Sequence, residues 1–225
     1  MARKKNEAPA LSVVANPSTL AIAAPRTDLR LDLGCGGTPK EGFEGVDKFA
    51  TQARHKVDLF KFPWPFADNS VEEIHCSHFL EHVPAREIEL RDIRGDLKES
   101  AHRAAIQRFS DEDMLCAVMD ECCRILKPEC WMTAVVPSAR SNRAFQDPTH
   151  RRFFVQESFF YFCREWRQIQ GLDHGYLGSS NFAVAAVDHT MPNEEGLRSP
   201  EVQSARFHTL WNTTFDWIAR LKKLP

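Results

Sequence analysis

The sequence predicts an α/β fold, a doubly wound and mostly parallel sheet. The apolar alternation Leu29-Arg-Leu-Asp-Leu33 runs straight into Gly34, Gly36 and Gly37, and a second short β-favouring stretch, Gly42 to Asp47, ends on a carboxylate. Further on, a helical pattern stopped by Pro128 gives way at once to the β-favouring run Trp131 to Val136, closed by Pro137. Strand, glycine loop, strand, then helix and strand is the order of βαβ units, whose strands lie parallel.

Each element follows from local chemistry. Residues 1–25 open with Arg and Lys and continue as an Ala/Pro/Ser/Val mixture without steady periodicity, which reads as a loosely ordered tail. Asn16, Pro17, Ser18 and Thr19 interrupt any apolar core that a secretory signal would need. The single domain then spans 26–225. Arg30 to Leu33 is a buried strand, and the link to the second strand is too short for a long crossover helix. Val57-Asp58-Leu59 reads as a third extended piece, Phe62 to Asn69 as a Pro- and aromatic-rich loop, and Val71 to Ser77 as a fourth strand. Residues 84–109, dense in mixed charge with Ile88, Ile93, Leu97, Ala101, Ala104 and Ile106 near helical spacing, form an inserted helical segment, either a solvated helix or a lid over the site.

Ser110-Asp-Glu-Asp113 resembles a capping box, and Leu115, Val118, Met119, Cys122, Ile125 and Leu126 then recur at helical spacing up to Pro128. After the strand at 131–136 come a polar loop, an aromatic helix over Val155 to Trp166, and two strands, Phe182 to Val187 and Ala205 to Trp211, paired as an antiparallel hairpin at the sheet edge.

Composition limits the partners. The chain of 225 residues carries 29 Lys+Arg against 31 Asp+Glu, so no global basic field draws in nucleic acid. Its 7 cysteines are odd in number and form no CxxC pair, which suits a reducing cytoplasm. No window approaches the roughly 18 apolar residues of a membrane span.

Glycines at 34, 36 and 37 let the backbone turn sharply and let a ligand approach without a Cβ in the way. A dinucleotide unit would carry GxGxxG with its acidic residue about 20 positions on. Here Pro39 stands where the third glycine belongs, and the carboxylate arrives early, at Asp47.

Taken with the segments downstream, this pattern resembles the class I S-adenosylmethionine-dependent methyltransferases, type 11-like. The resemblance runs through Leu31-Asp-Leu-Gly-Cys-Gly36, Asp47, Val57-Asp58-Leu59, Phe66-Ala-Asp-Asn-Ser-Val71, His78-Phe-Leu-Glu-His82 and Glu121-Cys-Cys-Arg-Ile-Leu-Lys-Pro128, covering roughly residues 29–137. Asp147-Pro-Thr-His-Arg151 looks like a segment of a subset of that family. The resemblance implies a Rossmann-like fold with a seven-stranded sheet, S-adenosyl-L-methionine as cofactor, and methyl transfer; the leading expectation for the acceptor is a small molecule.

It also implies roles. The loop of Gly34, Cys35, Gly36 and Gly37 would lie under the methionine and ribose, and Asp32 would organise that loop or receive the amino group through water. Asp47 would take the ribose hydroxyls, a carboxylate having two acceptor oxygens and no competing donor. Asp58 would accept from the adenine amine while Leu59 packs on the ring, and Ser77 and His78 would stand near the reacting methyl. The alternative for Asp32 and Asp58, less favoured, is ordinary capping of strand-end turns. Lys127-Pro-Glu-Cys130 departs from the family's Lys-Pro-Gly-Gly turn and implies a different turn geometry.

His78-x-x-Glu81-His82 matches the H-x-x-E-H string of inverted zinc proteases. A zinc site needs a third protein ligand nearby and the string within a continuous helix. Here the string follows a strand directly and Pro84 comes two residues after it, so no metal is assigned. Should the acceptor need deprotonation, His78, His82 or His150 would take the proton, with His150 preferred from its place in the Asp147 to Arg151 loop. Arg140, Arg143, His150, Arg151 and Arg152 form a basic cluster suited either to an anionic substrate or to pairing with nearby acids. The aromatic run from Phe153 to Trp166 reads as packing. A macromolecular acceptor and a silent cofactor-binding protein are the alternatives.

Overall fold

A computed structural model describes residues 28–84, 113–172 and 178–225. The predicted N-terminal tail, the insertion at about 84–109 and most of the predicted capping box lie outside the described residues, apart from Pro84 and Asp113. Among those described, one sheet of 6 strands has the order β2-β1-β3-β4-β6-β5. The strands are β1 (Arg30–Leu33), β2 (Glu44–Val46), β3 (Val71–Ser77), β4 (Leu126–Pro137), β5 (Phe182–Thr190) and β6 (Asp216–Lys223). The expected count of seven is therefore corrected to six for these residues. β1 through β4 pair in parallel, and β6 joins β4 antiparallel with β5 on the outer edge.

β1 lies between β2 and β3, and its Leu31 and Leu33 are fully buried. β3 alternates, with Val71, Ile74 and Cys76 turned into the core. The helix α1 (Met114–Ile125) starts at Asp113, whose carboxylate accepts from Leu115 N at 2.8 Å. It buries Val118, Met119, Cys122 and Ile125, one stripe at the i, i+3, i+4 spacing of an amphipathic helix.

No helix is described between β1 and β2 or between β2 and β3. The 34–43 connection folds back as turns, tied by Asp32 Oδ2 accepting from Lys40 N at 2.8 Å. Gly45 is required opposite it, since a Cβ there would stand 2.6 Å from Cys35 Sγ. Between β2 and β3 the aromatic loop does the work of a crossover helix, with Trp64 and Phe66 buried over the sheet.

The Glu121 to Arg124 segment holds that loop. Glu121 accepts from Trp64 N at 2.8 Å. Arg124 uses all of its donors: Glu121 takes two hydrogen bonds at 2.7 Å, Asp68 one at 2.6 Å, and the carbonyls of Phe66 and Trp64 one each. A segment that resembles a methyltransferase motif thus has a structural task here.

Four expectations change. Val57 to Leu59 forms no strand; a lone bridge of Val46 to His55 stands nearby. The Val155 to Trp166 helix divides into a 3-10 segment (Gln156–Phe162) and α3 (Arg164–Ile169), after α2 (Arg143–Gln146). Helix α1 ends at Ile125, so Lys127 to Cys130 lies within β4, and Glu129 itself adopts the positive φ of 66° that a glycine would have taken. Finally, Ala205 to Trp211 is not the hairpin strand. Most of it belongs to the helix α5 (Pro200–Thr209), preceded by the short α4 (Asn193–Gly196). Pro200 at its first turn and Arg206 and His208 in its last are helix-end signals. The true partner of β5 is β6, whose Trp217, Ala219 and Leu221 are buried on alternate positions.

Candidate cofactor site at the strand ends

Open α/β sheets bind ligands beyond the carboxyl ends of their strands, where the chain leaves one strand in opposite directions. In this sheet that point lies at β1, with β2 on one side and β3 on the other. Gly34 follows β1, Asp47 follows β2, His78 follows β3 and Ser138 follows β4, so the sequence-predicted residues converge on one edge.

The glycine loop is built for approach. Gly34 and Gly36 have φ of 65° and 55°, in the left-handed region open to glycine. Gly34 N donates to Val46 O at 2.8 Å, locking the loop to the end of β2. A Cβ on Gly34 would stand 2.7 Å from carbons of Phe79, which stacks on Phe60 at a centroid distance of 5.7 Å. A Cβ on Gly36 or Gly37 would meet no atom within 4 Å. The loop is therefore packed beneath Gly34 and open above Gly36 and Gly37. Cys35 sits between them with its thiol against β2, and burial pushes that thiol up, helped by the Asp32 and Asp47 charges.

Asp47 is held by backbone donors. Its Oδ1 accepts from Phe49 N at 2.7 Å and Ala50 N at 2.8 Å, and its Oδ2 accepts from Gly36 N at 3.2 Å. Burial works to raise its pKa, but the three N–H donors outweigh it and the carboxyl lies below its usual value. The single bond to Oδ2 leaves that oxygen a free acceptor lobe beside the open loop.

The other expected contacts divide. Asp32 is buried, and its Oδ2 accepts from Lys40 N. Asp58 Oδ2 is taken by Lys48 Nζ at 2.8 Å, leaving Oδ1 with only a 3.3 Å bond from Phe60 N. Leu59 is 5% exposed and belongs to the core, so its side chain is not available to pack on a ring; the half-buried Phe60 beside it is the apolar surface at this place. Ser77 ends β3 opposite Val135.

Beyond β3, His78 has φ 54° and hydrogen-bonds through Nδ1 to Glu81 Oε1 at 3.1 Å, which together with the Glu81 charge raises its pKa against the opposing effect of burial. His150 is brought close by main-chain bonds: Arg151 N and Arg152 N both donate to Glu81 O, at 2.7 and 3.0 Å. Its side chain is 8% exposed, with Nδ1 on Ala144 O at 3.0 Å and its ring against His82 at 4.7 Å. This burial counts against the preferred His150 as proton acceptor, whereas His78 has 47% of its side chain exposed.

The basic cluster turns mostly inward. Arg143 pairs with buried Asp216 at 2.7 Å, Arg152 with Asp113 at 2.9 Å, and Arg140 donates to the carbonyls of His208 and Leu210. Of the aromatic run, Phe154, Phe159 and Phe162 are buried, whereas Phe153 stacks on Phe145 in an exposed group with Trp211. Sequence reasoning missed Phe79, Asp216 and Trp211. Their partners are distant in the chain, and no local pattern marks them.

No protein-family model matches the sequence, and no curated protein does. Solved structures do match in fold. A SAM-dependent methyltransferase from Archaeoglobus fulgidus aligns at 18% identity with a TM-score of 0.53, over 88% of this chain and 87% of that one. A geranyl diphosphate methyltransferase solved in complex with SAM aligns at 12% and 0.46, over 88% and 78%. A SAM-dependent methyltransferase from Methanosarcina mazei aligns at 12% and 0.45, over 88% and 94%. On the Archaeoglobus alignment, the fold is that of the class I SAM-dependent methyltransferases. In fold this chain is similar to the Archaeoglobus structure over most of its length, and it has turns and an aromatic loop where β1, β2 and β3 are joined.

Proposed function

We propose that this protein is an S-adenosyl-L-methionine-dependent methyltransferase acting on a small-molecule acceptor. One observation carries the reading: a glycine loop open above Gly36 and Gly37, flanked by a carboxylate that keeps a free acceptor lobe. A nucleoside with two ribose hydroxyls needs such an acceptor, and its backbone-facing edge needs the absent Cβ atoms. The residues present fit the cofactor.

When bound, the cofactor supplies an already activated methyl group. The chain's own task is to bind, orient and exclude water. The Gly34 to Gly37 loop and Asp47 hold the nucleoside end, Phe60 offers an apolar face, and Asp58 Oδ1 an acceptor. Ser77 and His78 close β3 on the acceptor side, where His78 is placed to hold a proton. The exposed Phe145, which follows Ala144 in the chain and carries Phe153 and Trp211 against its ring, gives an apolar acceptor a surface to lie on near His150.

All 7 cysteines are free thiols, which suits the cytoplasm. Among the described residues no helix is long and apolar enough to cross a membrane. Calorimetry with S-adenosylmethionine and S-adenosylhomocysteine tests the proposal, both being expected to bind. Failure of both sinks it. Binding without turnover across a broad acceptor screen favours a silent cofactor-binding protein instead.

A further inference from the structure

The string His78-x-x-Glu81-His82 lacked a third ligand when read as sequence, and the fold supplies one. Glu81, His82 and His150 each offer a ligand atom, and these atoms lie within 4.8 Å of one another. The main-chain bonds from Arg151 and Arg152 to Glu81 O hold the two loops together, so this proximity is built into the backbone.

The surrounding hydrogen bonds prepare both imidazoles. His150 Nδ1 faces the carbonyl of Ala144 and must donate to it, which leaves its Nε2 with a lone pair. His82 Nδ1 lies 2.9 Å from Thr149 Oγ1, and that hydroxyl gives its only proton to Asp147 Oδ1 at 2.7 Å. His82 Nδ1 is therefore the donor, and its Nε2 also keeps a lone pair. Imidazoles held through one nitrogen by a carbonyl or a carboxylate-linked group, with the other nitrogen free, are characteristic of metal ligands.

Glu81 completes the set. Its side chain is 1% exposed, Oε1 meets His78, and Oε2 is buried with no hydrogen-bond partner among the described residues. A buried carboxylate oxygen without a partner is costly, and a cation would satisfy it.

We propose that Glu81, His82 and His150 bind a divalent transition-metal ion. Two imidazoles and one carboxylate select a borderline ion such as Zn²⁺, Co²⁺ or Fe²⁺ over Mg²⁺ or Ca²⁺. Ligand distances of about 2.1 Å put donor atoms about 3.4 Å apart around a tetrahedral ion, so side-chain torsions close the remaining gap. Three protein ligands leave a coordination position open, as catalytic sites do. On the methyltransferase reading, to which this last step is tied, that position lies beside His78 and takes an oxygen of the acceptor, which makes the acceptor a hydroxyl compound.

The test uses the full chain after chelator treatment, titrated with Co²⁺ and followed by its visible spectrum. Stoichiometric binding is expected without the intense near-ultraviolet bands of a thiolate ligand, and exogenous acetohydroxamate should shift the spectrum by entering the open position. His150→Ala and Glu81→Gln should abolish binding, and Thr149→Val should weaken it about 10- to 100-fold. Thermal unfolding reports whether each variant is folded. Absence of Co²⁺ binding by the folded protein, thiolate bands, or full binding by folded His150→Ala overturns the site. S-adenosylhomocysteine binding is read separately: Co²⁺ without the nucleoside defeats the methyltransferase reading alone, and the nucleoside without Co²⁺ defeats the metal site alone.

Discussion

Gly34 and Gly36 share a left-handed backbone yet differ in what surrounds them, so alanine at each should separate stability from ligand binding. An alanine forced to positive φ costs about 1–2 kcal/mol. At Gly36, φ is 55° and a Cβ meets nothing within 4 Å, so that strain is the whole expected loss of stability. At Gly34, φ is 65° and the methyl would stand 2.7 Å from three carbons of Phe79. Phe79 is stacked on Phe60 and has little room, so overpacking adds about 1–3 kcal/mol, for a total of about 2–5 kcal/mol. Binding should run the other way. The Gly36 methyl would occupy the open face proposed for the nucleoside, where a clash of about 1–3 kcal/mol would raise Kd about 5- to 150-fold. Urea unfolding gives the stabilities, and calorimetry with S-adenosylhomocysteine gives the affinities. An unchanged Kd in Gly36→Ala would show that the ligand does not cross this loop, and equal stability of the two variants would refute the close approach of Phe79 to Gly34.

Other perturbations test the supports. Asp47→Ala should weaken S-adenosylhomocysteine by roughly 1–3 kcal/mol, since ribose donors lose their acceptor; calorimetry that finds the same Kd removes Asp47 from the site. Because the native Asp47 carboxyl lies below its ordinary value, its contribution to stability is fully present above about pH 4 and is lost as pH falls through the lowered native value. Affinity should accordingly stay flat from pH 7 to about 5 on this account, and Asp47→Asn should flatten the acid end of the stability curve; a mutant as acid-sensitive as the parent contradicts this. Arg124→Ala should cost about 2–4 kcal/mol, because it strands the part-buried Glu121 and two carbonyls. Arg124→Lys should recover less than half, since an ammonium cannot reproduce the planar fork. Denaturant midpoints that match the parent would show that the Trp64 loop stands without this clasp.

Local signals were readable wherever one segment carries its own reason. The alternation at Arg30 to Leu33 and Val71 to Ser77, the apolar stripe of α1 with Asp113 at its head, and the turn demanded by the glycines all appear in the fold where the sequence puts them. The misreadings arose where two patterns compete. Ala205 to Trp211 holds apolar residues at strand-like positions, yet Pro200 and the basic last turn favour a helix that buries none of its residues. The Trp217-Ile-Ala-Arg-Leu221 alternation that would have identified β6 is interleaved with Arg220, Lys222 and Lys223, whose charge obscures a buried face. In Lys127 to Cys130 the turn chemistry was sought outside a strand that in fact runs through it.

The sequence by itself determined the class of fold, the glycine turn and the carboxylate at its side, because each depends on neighbours a few residues apart. Only the tertiary structure decided that Phe79 lies under Gly34, that Leu59 faces the core, that Arg143 is spent on Asp216, and that His150 stands beside Glu81 and His82. Those pairings join segments far apart in the chain. Their proximity follows from how strands are ordered and how loops are hydrogen-bonded together, which no local pattern of residues records.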